Sequence, residues 1–114
     1  MPTENLQIVV SPGNREGQKI LRLKGSLNIQ TIFGFQSAVR AESSPVVILD
    51  FSGVPFIDSA GLGALVGAYV AAQKKPQRIV VACLNTQVKA LIEMTKVSQL
   101  IKAYDTVGEA EESI

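Results

Sequence analysis

The sequence contains no histidine and a single cysteine, Cys83, among its 114 residues. Without histidine the chain cannot build a Ser-His-Asp triad or use imidazole as an acid-base catalyst. A zinc site would lack its usual ligands, and one cysteine cannot form an internal disulfide bond. These absences argue against an enzyme, and we expect neither a metal ion nor a cofactor.

Net charge and long apolar runs are also lacking. The 11 basic and 10 acidic residues leave a net charge of +1, and no dense run of Lys or Arg occurs, so we expect no binding to nucleic acid. No apolar run approaches the roughly 20 residues that span a bilayer. The segment Met1–Gln7 has neither the basic nor the apolar part of a secretion signal. We therefore expect a cytoplasmic protein that does not insert into a membrane.

Hydrophobic residues make up 46% of the chain, which is enough for a real core. The length fits a single domain over residues 1–114. Hydrophobic periodicity and turn signals predict strands at 6–10, 19–24, 46–51, 78–84 and 100–104, and helices at about 28–41, from the segment 56–63 to about 75, and 86–95, with a short acidic helix or tail from 106. This order predicts an α/β fold, in which an opening hairpin precedes alternating, largely parallel strands and helices.

Several side chains can be placed within this scheme. Asn28 is predicted to be the N-cap of the first helix. Cys83 is predicted to be a small core residue, and Gly67 is assigned to tight packing of a helix on the sheet. The remaining predicted core positions are Ile32, Val39, Val88, Leu91, Ile92 and the four phenylalanines, Phe33, Phe35, Phe51 and Phe56. Met94 is predicted to be a contact in the core or at its rim.

The segment Asp58-Ser59-Ala60-Gly61 stands where an extended run gives way to a helix. Asp58 or Ser59 could simply cap the first helical turn. Alternatively, an exposed Ser59 could be a phosphorylation switch. A phosphate brings about −1.5 to −2 charges, which a helix N-terminus tolerates. The two interpretations are compatible, and both stay open at this point.

Enzyme motifs do not fit this segment. Gly61-Leu62-Gly63 lacks the further glycine of a dinucleotide-binding loop and the Gly-Lys-Ser/Thr of a P-loop. A nucleophile elbow requires glycine two residues before the serine, where this chain has Ile57. Ser59 also has no histidine to act as its base.

The motifs Leu49-Asp50-Phe51-Ser52 and Phe56-Ile57-Asp58-Ser59-Ala60-Gly61-Leu62-Gly63 resemble the signature of STAS domains, especially of anti-sigma factor antagonists. The stretch Leu23–Asn28 with Thr31 is similar to the family's second strand and the start of its first helix. Val88, Leu91 and the stretch Met94–Leu100 resemble its third helix and the loop that follows. The resemblance covers nearly the whole chain.

This resemblance implies a mixed β-sheet with helices packed mainly on one face. It also implies a regulator that sequesters an anti-sigma factor serine kinase when unphosphorylated, is inactivated by phosphorylation at Ser59, and is restored by a serine phosphatase. The partner-binding residues that it implies are Ser26, Asn28, Asp58, Ser59, Ala60, Gly61, Leu62 and Gly63.

Three positions depart from the family pattern. The family often has acidic residues where Ser26 and Asn28 stand, and many members have a second serine where Ala60 stands. The alternatives are therefore a STAS subunit of another assembly, such as a lipid-transport ABC complex or a stress-signalling scaffold, with Ser59 unmodified. A small-ligand or nucleotide sensor ranks below both, because no polar pocket can be predicted from the sequence.

Overall fold

The computed structural model describes residues 5–114. The prediction that Met1–Gln7 is not a secretion signal falls partly on residues 1–4, which lie outside this range. The elements, in chain order, are β1 (Gln7–Pro12), β2 (Gln18–Lys24), α1 (Ile32–Ala41), β3 (Val46–Gly53), α2 (Ser59–Gln73), β4 (Arg78–Ala82), α3 (Thr86–Met94), a 3-10 turn (Val97–Gln99), β5 (Ala103–Tyr104) and α4 (Val107–Ser113).

The five strands form one sheet in the order β1-β2-β3-β4-β5. β1 runs antiparallel to β2, and every later pairing is parallel. The central strand β3 is buried from Val47 to Phe51, as expected for a continuous apolar run covered on both faces. The predicted hairpin and the α/β class are confirmed.

The sheet has a large core on one face and a small one on the other. Helices α1, α2 and α3 pack on the first face, against side chains such as Leu21, Leu49 and Val81. Helix α4 packs on the second face, where Ala110 lies in a cluster with Ile48. The predicted packing of helices mainly on one face is therefore confirmed, with α4 as the exception. No helix within residues 5–114 is long and apolar enough to cross a membrane.

Two residues predicted for the core lie on the surface, and so does Met94, which was predicted for the core or its rim. Phe33, Phe56 and Met94 are 75%, 53% and 78% exposed. Phe33 lies two residues from the buried Phe35, and Met94 lies two residues from the buried Ile92. Two residues of a helix are about 200° apart around its axis, so Phe33 and Met94 point away from the core. Phe56 precedes the buried Ile57 in an extended segment, and alternation turns it outward.

Four local predictions are also corrected. Helix α1 begins at Ile32 with Thr31 as its cap, so Asn28 is not the N-cap. Cys83 is only partly buried and lies in the left-handed region, at φ 64°, just after β4 ends. A Cβ added to Gly67 would meet nothing within 4 Å, so this glycine has no packing role. The last strand is reduced to the two residues of β5.

Candidate functional site

Helix α2 begins directly after Asp58, whose side chain caps it. Asp58 Oδ1 accepts a hydrogen bond from the N–H of Gly61 at 2.7 Å. Its second oxygen, Oδ2, accepts one from the N–H of Ile29 at 3.1 Å. The capping prediction is therefore confirmed for Asp58, and the same carboxylate also ties the start of α2 to the loop that follows β2.

That loop and the segment before α2 form a short extension of the β2–β3 pairing. Leu27 and Ile57 make a parallel bridge. The N–H of Leu27 donates to the carbonyl of Phe56 at 3.1 Å, and the N–H of Asp58 donates to the carbonyl of Leu27 at 3.2 Å. The position of the α2 N-terminus is therefore fixed by main-chain bonds on both sides of Leu27.

Gly61 allows this close approach. A Cβ at Gly61 would lie 2.2 Å from the carbonyl oxygen of Leu27 and 2.8 Å from its carbonyl carbon. Gly63, two residues later, faces open space, since nothing lies within 4 Å of a Cβ there. The first glycine is thus required for packing, whereas the second leaves the surface low beside Ser59.

Ser59 is the first residue of α2, and its side chain is exposed. Within residues 5–114, its hydroxyl makes no hydrogen bond. The main-chain N–H groups of Ser59 and Ala60 are also free in this part of the chain, because the cap of Asp58 is taken by Gly61. The serine therefore combines an accessible hydroxyl with two unused donors at the positive end of a helix.

The structure separates the predicted partner-binding residues into accessible and buried groups. Ser59 and Gly63 are exposed, and Asp58, Ala60, Leu62 and Ser26 are half-buried. Gly61 and Asn28 are buried, so neither presents a side chain to a partner.

Asn28 instead organises the turn before α1. Its Oδ1 accepts a hydrogen bond from the N–H of Gln30 at 2.9 Å, and its own N–H donates to Thr31 Oγ1 at 2.9 Å. Thr31 Oγ1 also donates to the carbonyl of Ser26 at 2.9 Å. An asparagine side chain that bonds the amide two residues ahead is a common turn device. Asn28 therefore shapes the loop that Asp58 holds.

An apolar groove whose lining includes Ile57, two residues before Ser59, was missed by the sequence reasoning. It has a volume of about 480 Å³ and lies between the segment at Phe56 and Ile57 and the face of α3 that carries Gln87, Leu91 and Met94. Two other exposed apolar side chains, Ile29 (62%) and Phe33 (75%), belong to the loop held by Asp58 and the helix after it. Applying strand alternation to Phe56 and the helical period to Met94 would have found this groove.

The charged cluster on the other face of the sheet is structural. Asp50 is 4% exposed; its Oδ1 accepts from the N–H of Ser52 at 2.9 Å, and its Oδ2 lies 3.4 Å from Arg22 Nε. Burial, and then the nearby Asp50 carboxylate, raise the pKa of the Cys83 thiol. No three Cys, Asp or Glu side chains among the described residues come together as a metal site requires.

Comparison with known proteins gives consistent matches. A family model described as the STAS domain matches residues 5–110. An anti-sigma F factor antagonist of Paenibacillus polymyxa is 28% identical over 105 residues, which cover 89% of this chain and 88% of that protein.

Two solved structures share the fold. A crystal structure of an anti-sigma factor antagonist from Mycobacterium paratuberculosis superposes with a TM-score of 0.84 at 21% identity, covering 96% of this chain and 94% of that one. The Bacillus cell fate determinant SpoIIAA in its phosphorylated form gives a TM-score of 0.69 at 15% identity, covering 96% and 98%. At these identities the likeness concerns the fold alone.

Proposed function

This chain belongs to the STAS domain family, and we propose that it acts as an anti-sigma factor antagonist whose binding surface surrounds Ser59. In this proposal the unphosphorylated protein sequesters an anti-sigma factor that is also a serine kinase. Phosphorylation at Ser59 ends the binding, and a serine phosphatase restores it. The protein acts in the cytoplasm and catalyses no reaction itself. The name of the Paenibacillus relative supports the class of partner.

The observation that carries the proposal is the exposed hydroxyl of Ser59 at a helix start whose position is fixed independently of that hydroxyl. Asp58 caps the helix, and Leu27 anchors it through main-chain bonds. A phosphate could therefore be added without removing any bond on which the fold depends. The free N–H groups of Ser59 and Ala60, together with the helix dipole, would help to accommodate its charge.

The effect on a partner follows from the surroundings of Ser59. The groove between Phe56 and Met94 offers apolar contact area that begins two residues before the serine, and Gly63 leaves room for close approach. A partner packed over these residues would have to desolvate a phosphate of about −2 charge beside the carboxylate of Asp58. Phosphorylation is thus expected to oppose binding without unfolding the domain.

The departure at Asn28 leaves this geometry intact. Its Oδ1 accepts the N–H of Gln30, a role that an aspartate oxygen would also fill. The substitution therefore removes one negative charge near the site and keeps the turn. It bears on which anti-sigma factor binds, because charge near an interface affects partner choice more than fold.

The test compares the wild-type protein with the Ser59→Ala and Ser59→Asp variants as baits in native cell extract. We expect an ATP-binding anti-sigma kinase to bind the first two and to be lost from the third by at least tenfold. Ser98→Asp is the matched control, because it adds the same charge at another exposed serine. Incubation of the captured kinase with ATP should then phosphorylate the wild type and leave Ser59→Ala unmodified.

Equal binding of one partner by all three baits would refute the switch. A membrane-associated or scaffold partner under those conditions would favour the alternative of a constitutive STAS subunit in another assembly. The melting temperatures of the variants, measured in parallel, separate a lost contact from a lost fold.

A further inference from the structure

A second groove lies at the end of the sheet opposite Ser59. It opens at the amino end of β4, has a volume of about 590 Å³, and is lined by residues that include Tyr69, Lys75, Arg78, Ile79, Leu100 and Lys102. Tyr69 comes from α2, which packs on the first face of the sheet. Arg78 and Lys102 alternate with residues of that face, so they belong to the second face, like Val80. The groove therefore runs along the edge of the sheet.

This edge of β4 is only half paired. The N–H of Val81 donates to the carbonyl of Lys102 at 3.0 Å, and the N–H of Cys83 donates to that of Tyr104 at 3.1 Å. Successive main-chain N–H groups of a strand point to opposite sides. The N–H of Arg78 donates to the carbonyl of Pro45 on the β3 side at 2.7 Å. The N–H of Ile79, the next residue, therefore points to the same side as that of Val81. Within residues 5–114, the N–H of Ile79 makes no hydrogen bond. The first half of β4 is thus an open edge inside a groove.

The groove is also positively charged without compensation. Its lining includes Lys75, Arg78 and Lys102 and no Asp or Glu. The two ion pairs among the described residues join Arg15 to Glu112 and Arg22 to Asp50. None of the three cations in the groove therefore has a carboxylate within 4.0 Å in this part of the chain.

Helix chemistry accounts for only one of these cations. Lys75 lies just past the end of α2, where a positive charge is favoured by the helix dipole. Arg78 begins a strand, and Lys102 precedes one. The Lys102 ammonium lies 5.9 Å from the ring centroid of Tyr104, a contact that leaves its charge in place.

We propose that this groove binds an extended acidic peptide segment of a partner protein, which lies beside the first half of β4 and pairs with Ile79. Addition of a strand to an open edge supplies main-chain hydrogen bonds, and alternate side chains of the added strand meet the same face. Carboxylates on that face would lie near Arg78 and Lys102. A small anion would satisfy the charges and leave the strand edge unused, so the open edge favours a peptide.

The test uses the full chain and a labelled ten-residue peptide in which Glu alternates with Val or Thr. Binding is measured by fluorescence anisotropy, and the site is located by amide NMR shifts. We expect shifts at Ile79, Val80 and 100–102, and slower hydrogen exchange of the Ile79 amide on binding. The double variant Arg78→Glu with Lys102→Glu should weaken binding by about tenfold or more, because each exposed attraction becomes a repulsion.

The control variant Lys24→Glu with Lys89→Glu changes the charge equally at exposed positions outside the groove and should bind within about twofold of wild type. Arg78→Gln with Lys102→Gln provides a milder variant if charge reversal impairs folding. Equal binding of a Gln-for-Glu peptide would overturn the acidic preference. Two peptides are N-methylated on alternate residues, one on each alternate set, because only one set of N–H groups faces β4. Equal binding of both would overturn the strand pairing. Absence of shifts at Ile79 at millimolar peptide would overturn the site itself.

Discussion

Helix α2 offers a matched set of glycine substitutions whose effects on stability should have opposite signs. Gly61, Gly63 and Gly67 all lie within Ser59–Gln73, and all have negative φ, so alanine is compatible with the backbone at each. In a helix interior, alanine is favoured over glycine by about 0.5–1 kcal/mol. The substitutions therefore differ in what the new methyl group meets.

At Gly61 the new Cβ would lie 2.2 Å from the carbonyl oxygen of Leu27, which is a rigid backbone atom. The start of α2 must move away, which strains the bond from Asp58 N–H to the Leu27 carbonyl and the bond from Ile29 N–H to Asp58 Oδ2. Overpacking costs about 1–3 kcal/mol and each weakened hydrogen bond about 0.5–1.5 kcal/mol. After the gain in helix propensity, we expect Gly61→Ala to destabilise the protein by about 1–5 kcal/mol.

At Gly63 and Gly67 nothing lies within 4 Å of the added Cβ. Each Gly→Ala change there should raise the free energy of unfolding by about 0.5–1 kcal/mol. Urea unfolding followed by circular dichroism measures all three variants, with an unchanged m-value as the check that the comparison is valid. A neutral or stabilising Gly61→Ala would refute the close approach of α2 to Leu27.

Two further predictions concern Asp58 and Cys83. Asp58→Ala should lower the free energy of unfolding by about 1–2 kcal/mol. Asp58→Asn should lower it by less, because the amide oxygen of Asn can still accept from the N–H of Gly61, whereas its NH₂ group cannot accept from the N–H of Ile29. Thermal unfolding measures both variants, and an Ala variant as stable as wild type would contradict the capping. The raised pKa of Cys83 leaves less thiolate at neutral pH. Alkylation of Cys83 by iodoacetamide should therefore be slower in the native protein than in urea. The native rate should increase as the pH rises above the ordinary pKa range of a thiol. A native rate equal to that in urea across this pH series would contradict the effect of burial and Asp50.

Elements with strong periodicity could be predicted from the sequence. The apolar run Val46–Phe51 became the central strand, and Phe35 and Val39 are buried as their spacing predicted. The hairpin also formed, because its turn signals stand between two short β-type runs. These features depend on local patterns that the sheet reinforces.

What could not be predicted depends on contacts between distant segments. The start of α1 moved to Ile32 because Asn28 bonds within a turn and Thr31 bonds back to Ser26. The function of Gly61 depends on Leu27, which is 34 residues away along the chain. The open edge of β4 arises only when the strands are in register. The family motif was enough to indicate Ser59, whereas the surface around Ser59 could be described only from the folded structure.

The two proposed binding surfaces lie at opposite ends of α2, which has consequences for how they act together. A helix of 15 residues is about 22 Å long, and the Debye length at physiological ionic strength is about 8 Å. A phosphate at Ser59 would therefore have little electrostatic effect on an acidic peptide near Arg78. The helix is also anchored at its start by Asp58 and Leu27, so modification of an exposed hydroxyl gives no reason for it to shift. Release of a partner at Ser59 should thus leave the opposite groove competent to bind, and the domain could keep one partner while it exchanges the other.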